Sequence, residues 1–355
     1  MWTFLFYLPF LLGFVVIAVY AERKTAAFIQ NRLGPMEVGP VGLFQTIADL
    51  LKMLQKEDVR ATAVDKLPFL FAPLFIFAVI FGGFALLPLT IEIAGATVSP
   101  GLFILLAVVS LDVLGILMAG WASNNKYSVF GAMRAAAQII SYEIPLGLSV
   151  LAVVMISQTL DLQIMSRNQG ILTEEVIYLF GIKAWSIDVT AVGGILSWNV
   201  FQAPILWVVF VVFFIAGLAE ANRTPFDLPE GESEIIGGYH TEYSGFRWGL
   251  FMLSEYGMML LISFLGTILF FGGWNTPLPN IGTLSLADWT TGPIWGAIWL
   301  VSKALFWIFL QFWVRWTFPR LRVDQLMSLS WKYLTPIALI CVLICGIWRL
   351  WMVML

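Results

Sequence analysis

The sequence predicts an all-α integral membrane protein of about eight transmembrane helices with one interfacial amphipathic helix. Three observations lead there. Of the 355 residues, 60% are hydrophobic and only 12% charged, where a soluble domain is about half apolar and a quarter charged; the mean hydropathy is +0.90. Apolar segments of about 20 residues, enough to cross a hydrocarbon core, recur along the whole chain with no polar block large enough for a separate core. Lysine and arginine fall almost entirely in alternate connections. One membrane domain over residues 1–355 is therefore expected.

The expected spans are about 2–21, 68–90, 100–122, 136–157, 195–219, 248–273, 294–316 and 334–353. The first runs into Glu22, Arg23 and Lys24 with no positive segment before it and no small-residue cleavage site, so it reads as an uncleaved helix. Between the first two spans, Leu43, Phe44, Ile47, Leu50, Leu51 and Leu54 recur at helical spacing opposite Gln45, Asp49, Lys52 and Lys56. This predicts an amphipathic helix over about 41–56, with Pro40 suited to its first turn. A helix resting on lipid headgroups and one roofing a ligand cavity both fit that pattern. The fourth span contains Glu143 and Pro145, the latter removing a backbone donor.

Fifteen of the nineteen basic residues lie in the first, third, fifth and seventh connections. Because cytoplasmic loops hold the excess of positive charge, these connections are expected inside and both termini on the periplasmic side. No internal repeat of the inverted-half kind is visible.

His240 is the single histidine and Cys341 and Cys345 the only cysteines, one helical turn apart in the last span. Bis-histidine haem ligation, a zinc site and a disulfide framework are unsupported, so no metal site is expected, and electron-carrying groups would belong to other chains. Ionisable residues within spans face a protein interior or a hydrated path, which singles out Asp112, Glu143, Glu255 and Lys303. A structural acid–lysine pair is the plainer reading, strongest for Asp112. The fifth connection, about 220–247, holds Glu220, Asp227, Glu230, Glu232 and Glu234 within fifteen residues. Crowded carboxylates raise one another's proton affinity, so this loop suits proton exchange; a solvated acidic loop is the alternative.

Five polar blocks then resemble the H subunit (subunit 1) family of respiratory complex I, NADH:quinone oxidoreductase. They are Glu22-Arg23-Lys24 with Gln30 to Pro35; Ala48-Asp49 to Lys56-Glu57; Arg134 to Gln138 with Ser141-Tyr142-Glu143; Ala219-Glu220 through Glu234 and on to Gly245; and Pro319 to Met327. Their order and spacing cover most of the chain. The resemblance implies a non-redox subunit of a proton-translocating enzyme, binding no cofactor itself, with quinone as substrate and flavin and iron–sulfur clusters in partner subunits. Its partners would be hydrophilic-arm and membrane-arm subunits and the lipid bilayer, in a bacterial cytoplasmic membrane, with no nucleic acid. It further implies that Glu22, Arg23, Arg32, Asp49 and Arg134 line or brace a quinone chamber. Glu143, Glu220, Asp227, Glu230, Glu232, Glu234 and Glu255 would serve the proton path and coupling. An anchor subunit of a related membrane-bound hydrogenase and a cation-coupled secondary transporter remain as rival readings. Ubiquinone and menaquinone are not distinguished.

Overall fold

The computed structural model describes residues 3–95, 98–173, 176, 178–181, 188–190, 192–229, 231, 236–280 and 285–354, with backbone alone at 3–6, 179, 353 and 354. In chain order its helices are α1 (Thr3–Ile29), α2 (Gln45–Gln55), α3 (Lys66–Phe84), α4 (Gly101–Val109), α5 (Asp112–Ala122), α6 (Lys126–Ser157), α7 (Leu162–Arg167) and α8 (Asn199–Gln202). There follow α9 (Leu206–Glu220), α10 (Gly245–Phe270), α11 (Leu286–Trp289), α12 (Pro293–Thr317), α13 (Val323–Ser328), a π-helical turn (Leu329–Leu334) and α14 (Thr335–Met354). The described residues include no strand. Among the described residues six stretches, counting α4 with α5 and α13 with α14, are long and apolar enough to cross a membrane, and α9 is a shorter apolar helix. The protein is an all-α integral membrane protein.

Helix α10 is the axis of the bundle: 94% of its apolar stretch is buried, against 28% for α12 and for the last helix. It packs against α3, α9 and α12, while α6 packs against α5, α9 and α14. A helix apolar on all sides but buried only in part belongs in lipid or against other apolar chains.

Three elements differ locally from the sequence expectation. The third apolar segment is not one helix but breaks at Ser110–Leu111, so that Asp112 opens α5. An acid in a helix's first turn meets the favourable end of its dipole. The fifth begins as regular helix only at Leu206, because Pro204 denies a donor to the preceding turn and leaves α8 isolated. Pro40 lies in a separate 3₁₀ turn (Pro40–Gly42), and the amphipathic helix starts at Gln45. Pro145, by contrast, stands inside the longest helix, α6, without ending it.

Candidate functional site

The odd-numbered connections gather at one end of the bundle, and their polar side chains knit it together. Asn125 caps α6, accepting from Tyr127 N at 3.0 Å, while its amide donates to Glu242 at 2.6 Å. Arg247 pairs with Asp58 at 2.9 Å, Ser244 bonds both backbone groups of Val59, and Tyr243 stacks on Phe69 at 4.0 Å. Burial in this clasp raises the Tyr243 phenol above its ordinary value. Asp227 is buried and accepts from Arg320 at 2.9 Å, with Leu321 N donating to Pro225 O at 3.1 Å. Two of the five polar blocks, far apart in sequence, therefore meet.

Helix α9 ends where Asn222 takes a left-handed conformation (φ 49°), which asparagine tolerates and which commonly terminates a helix. Gln138 on α6 fixes this corner, donating to Ala219 O at 2.7 Å and to Asn222 Oδ1 at 3.1 Å. The reversed chain points Arg223 into the bundle. Its guanidinium lies 3.8 Å from Glu22 and 3.9 Å from Glu255, and 4.2 Å from the centre of the Tyr256 ring, within cation–π range. Glu22 also pairs with Arg315 and accepts from Tyr256 Oη at 2.6 Å. Glu255 accepts from Tyr239 Oη at 3.3 Å.

Tyr239 is placed by a close approach. A Cβ on Gly131 of α6 would come within 2.6 Å of Gly238 Cα, and Ser128 donates to Tyr239 O at 2.9 Å. Only glycine at 131 lets this turn reach inward.

Beyond Glu255 lies a small cavity of about 10 Å³ among buried residues, lined in part by Asp112, Glu220, Asn222, Tyr239, Ser254 and Glu255. That is room for about one water molecule, with the several polar partners a buried water needs. Glu22, Asp112, Glu220, Arg223 and Glu255 are each no more than 7% exposed. Asp112 Oδ1 finds no hydrogen-bond partner among the described residues. Glu220 is close enough to Asp112 and Glu143 for their charges to act on it. Glu143, half-buried on α6, stands near Ser110 at the α4–α5 break; the Ser110 hydroxyl donates to Ala107 O at 3.0 Å. The acids thus form a file: Glu22, Glu255, the cavity with Asp112 and Glu220, then Glu143.

A second, open cleft of about 570 Å³ is lined by Arg23, Arg32, Gly34, Pro35, Glu37 and Gln45 among others, a size that suits a small-molecule ligand. Arg23 pairs with Asp49 at 2.5 Å, Gln45 donates to that carboxylate at 3.2 Å, and Arg32 donates to Gln30 at 2.7 Å. Its apolar lining residues are bare, with Leu33 83% and Met36 46% exposed.

The structure therefore brings Glu22, Glu143, Glu220 and Glu255 into one file and Arg23 and Arg32 to one cleft, with Asp49 paired to Arg23. It does not bring all expected residues together. Glu22 belongs to the buried network and not to the cleft, Arg134 is not among the cleft's lining residues, and Asp227 is held by Arg320. Glu230, Glu232 and Glu234 lie outside the described residues. Residues not singled out for the site from sequence are Gln138, Asn222, Arg223, Tyr239, Tyr256 and Arg315; Arg223 had a signal, standing directly after the α9 span between two acids. Lys303 pairs with no acid among the described residues but donates to the carbonyls of Phe271, Gly273 and Asn275 at 2.8, 3.0 and 2.6 Å. No group of three or more His, Cys, Asp or Glu side chains among the described residues is arranged to hold a metal ion.

The family described as NADH dehydrogenase matches residues 2–346. A protein from Cytophaga hutchinsonii, named as the second NADH-quinone oxidoreductase H subunit, is 56% identical over 99% of this chain and all of its own length. Proteins named as the NADH-quinone oxidoreductase H subunit in Chlorobium luteolum and Brevibacillus brevis are 49% and 44% identical, over 94% and 96% of this chain and 84% and 90% of theirs.

Proposed function

The chain belongs to the NADH dehydrogenase family, that of the membrane-embedded H subunit of NADH-quinone oxidoreductase, and from that premise we propose that it couples quinone reduction to proton transfer. The observation that carries this reading is the file of buried acids running from Glu22 through Glu255 and a water-sized cavity to Glu143. As a subunit the chain assembles with other subunits of the complex. It is one membrane domain whose odd-numbered loops, including the amphipathic helix and the acidic loop 220–247, face the cytoplasm of a bacterial cell. Both termini lie on the periplasmic side.

The cleft beside Arg23, Arg32 and Asp49 receives quinone, its bare apolar rim closed by lipid on one side and by hydrophilic-arm subunits on the other. Arg134 braces the entrance from α6. Flavin and iron–sulfur clusters in those partners supply the electrons. Reduction of a quinone to a quinol takes up two electrons and two protons, and electrons that arrive ahead of the protons place negative charge beside Arg23, one helical step from Glu22, until protons are supplied. Glu22 shares Arg223 with Glu255, so strengthening one pair weakens the other. At separations of 3.8 and 3.9 Å neither pair is closed, and a small shift of the guanidinium is enough to favour either side. A proton then passes between Glu255, the Tyr239 hydroxyl and a water in the cavity to Glu220 and Asp112, and on to Glu143 at the surface met by neighbouring membrane subunits. Asp227, with Glu230, Glu232 and Glu234 on sequence grounds alone, serves the coupling.

The test is Glu255→Gln in the complete complex. The amide keeps the size and loses the titrating proton, so an assembled complex should lose at least about tenfold in proton transfer coupled to quinone reduction, a typical effect of removing one positioned acid–base group being a hundredfold or more. Full coupled activity in that variant would remove Glu255 from the path.

A further inference from the structure

Pro145 leaves one carbonyl of α6 without its helical partner. A residue's carbonyl accepts from the N–H four residues on, and proline has none, so residue 145 cannot supply a donor to Ser141 O. Buried acceptors left in that state cost free energy, and Ser141 is buried. The structure supplies the donor from elsewhere. Ser330 Oγ, fully buried, donates to Ser141 O at 2.6 Å.

Ser330 lies in the π-helical turn Leu329–Leu334 that joins α13 to α14. Such turns admit an extra residue and re-aim side chains, and they gather at functional sites. Here the neighbouring groups converge on the same segment of α6. Trp331 Nε1 donates to Ser141 Oγ at 3.3 Å, and Tyr142 Oη donates to Leu326 O at 3.0 Å. The segment so gripped is Ser141 to Pro145, and Glu143 stands at its centre.

We propose that Ser330 is a positioning residue for Glu143: its hydroxyl replaces the backbone donor that Pro145 removes and sets where the Glu143 carboxylate stands relative to Ser110 and Glu220. The part concerning Glu143 rests on the proton-path reading above; the part concerning Pro145 does not. Proline opens the helix beside the acid, and the last helix closes the opening with a side chain that can be released, which an intrahelical bond would not permit without unwinding α6.

The experiment is a double-variant cycle in the assembled complex. Ser330→Ala and Ser330→Thr are made with Pro145 intact, and Ser330→Ala again in Pro145→Ala, where residue 145 regains an N–H. With Pro145 intact, Ser330→Ala should lose about tenfold in coupled proton transfer and Ser330→Thr should keep most of it; in Pro145→Ala, Ser330→Ala should cost less than about twofold. The infrared carboxyl band of Glu143, assigned by its loss in Glu143→Gln, should shift in Ser330→Ala and return in the double variant. An equal loss in both backgrounds, or a band that does not move, overturns the proposal. Should Glu143→Gln keep full proton transfer, the proton-path reading falls alone. The melting temperature of the complex then decides the remainder: Ser330→Ala lowers it only where residue 145 is proline, and an equal fall in both backgrounds refutes that too.

Discussion

The two ends of the bundle bury polar groups in opposite ways. At the far end, Lys303 sits over the Trp198 ring at 4.5 Å and spends its three protons on three backbone carbonyls just beyond the end of α10. Around it, Gln169 accepts from Asn199 N and Gly272 N and donates to Met165 O and Ile268 O, and Asn275 donates to Ser166 O at 2.5 Å. Every one of these groups meets a fixed backbone partner at bonding distance. At the other end, Glu22 and Glu255 share Arg223 at nearly 4 Å, Glu255 and Glu220 border a water-sized cavity, and Asp112 keeps an oxygen without a described partner. A satisfied buried network makes a structure rigid, whereas a partly satisfied one keeps alternatives of similar energy. The first is a staple, and the second has room for protons to move.

Substitutions can break or sharpen that contrast. The largest effect is expected at Arg223. Removing it as Arg223→Met leaves Glu22 without one of its cations and Glu255 facing the interior, and breaking a buried pair in this way costs about 3–5 kcal/mol. Little assembled complex should form, as judged by native gel and by melting of what does; a variant as stable as the parent would mean that the two carboxylates do not depend on Arg223. Lys303→Met comes next, at ~2 kcal/mol for the charged hydrogen bonds lost. Its melting temperature should fall while the protons moved per quinone reduced stay unchanged in the complex that survives. Loss of coupling with unchanged stability would erase the distinction between the two ends.

Smaller again is Glu220→Gln, which keeps the volume beside the cavity. Stability should change little, while coupled quinone reduction drops by about tenfold or more, and equal stability and activity to the parent would take Glu220 off the path. The least effect belongs to Asp49→Asn. The Arg23–Asp49 pair is partly exposed and such pairs contribute ~1 kcal/mol or less to stability. The variant should melt with the parent but require a few times more quinone for half-maximal rate, about a factor of 3 to 5 for that energy; unaltered quinone dependence would separate the cleft from the substrate.

Much of this was legible in the amino-acid order, for identifiable reasons. Most of the long apolar stretches lie on helix, because a chain in lipid must satisfy its backbone internally. Glu143 and Glu255 stood out because acids are conspicuous in apolar runs. What composition does not carry is long-range pairing. Glu22 and Tyr256 are 234 residues apart and share a hydrogen bond, and nothing local to either announces it. The α4–α5 break was hidden because Ser110 and Leu111 are compatible with a continuous helix, yet that break is what brings Asp112 and Ser110 to the acids. Asp112 was visible as an intramembrane acid and a functional candidate, with an ion pair to Lys303 the alternative; Lys303 instead found carbonyls at the far end. Pro145 announced a missing donor, but only the packed last helix reveals what replaces it.

The most direct test compares Glu255→Gln with Lys303→Met in sealed vesicles containing the assembled complex, measuring protons translocated per quinone reduced. The account predicts that Glu255→Gln loses proton transfer while assembly is preserved, and that Lys303→Met keeps the parental ratio at reduced thermal stability. A parental ratio and rate in Glu255→Gln, or a collapsed ratio in Lys303→Met, would contradict it.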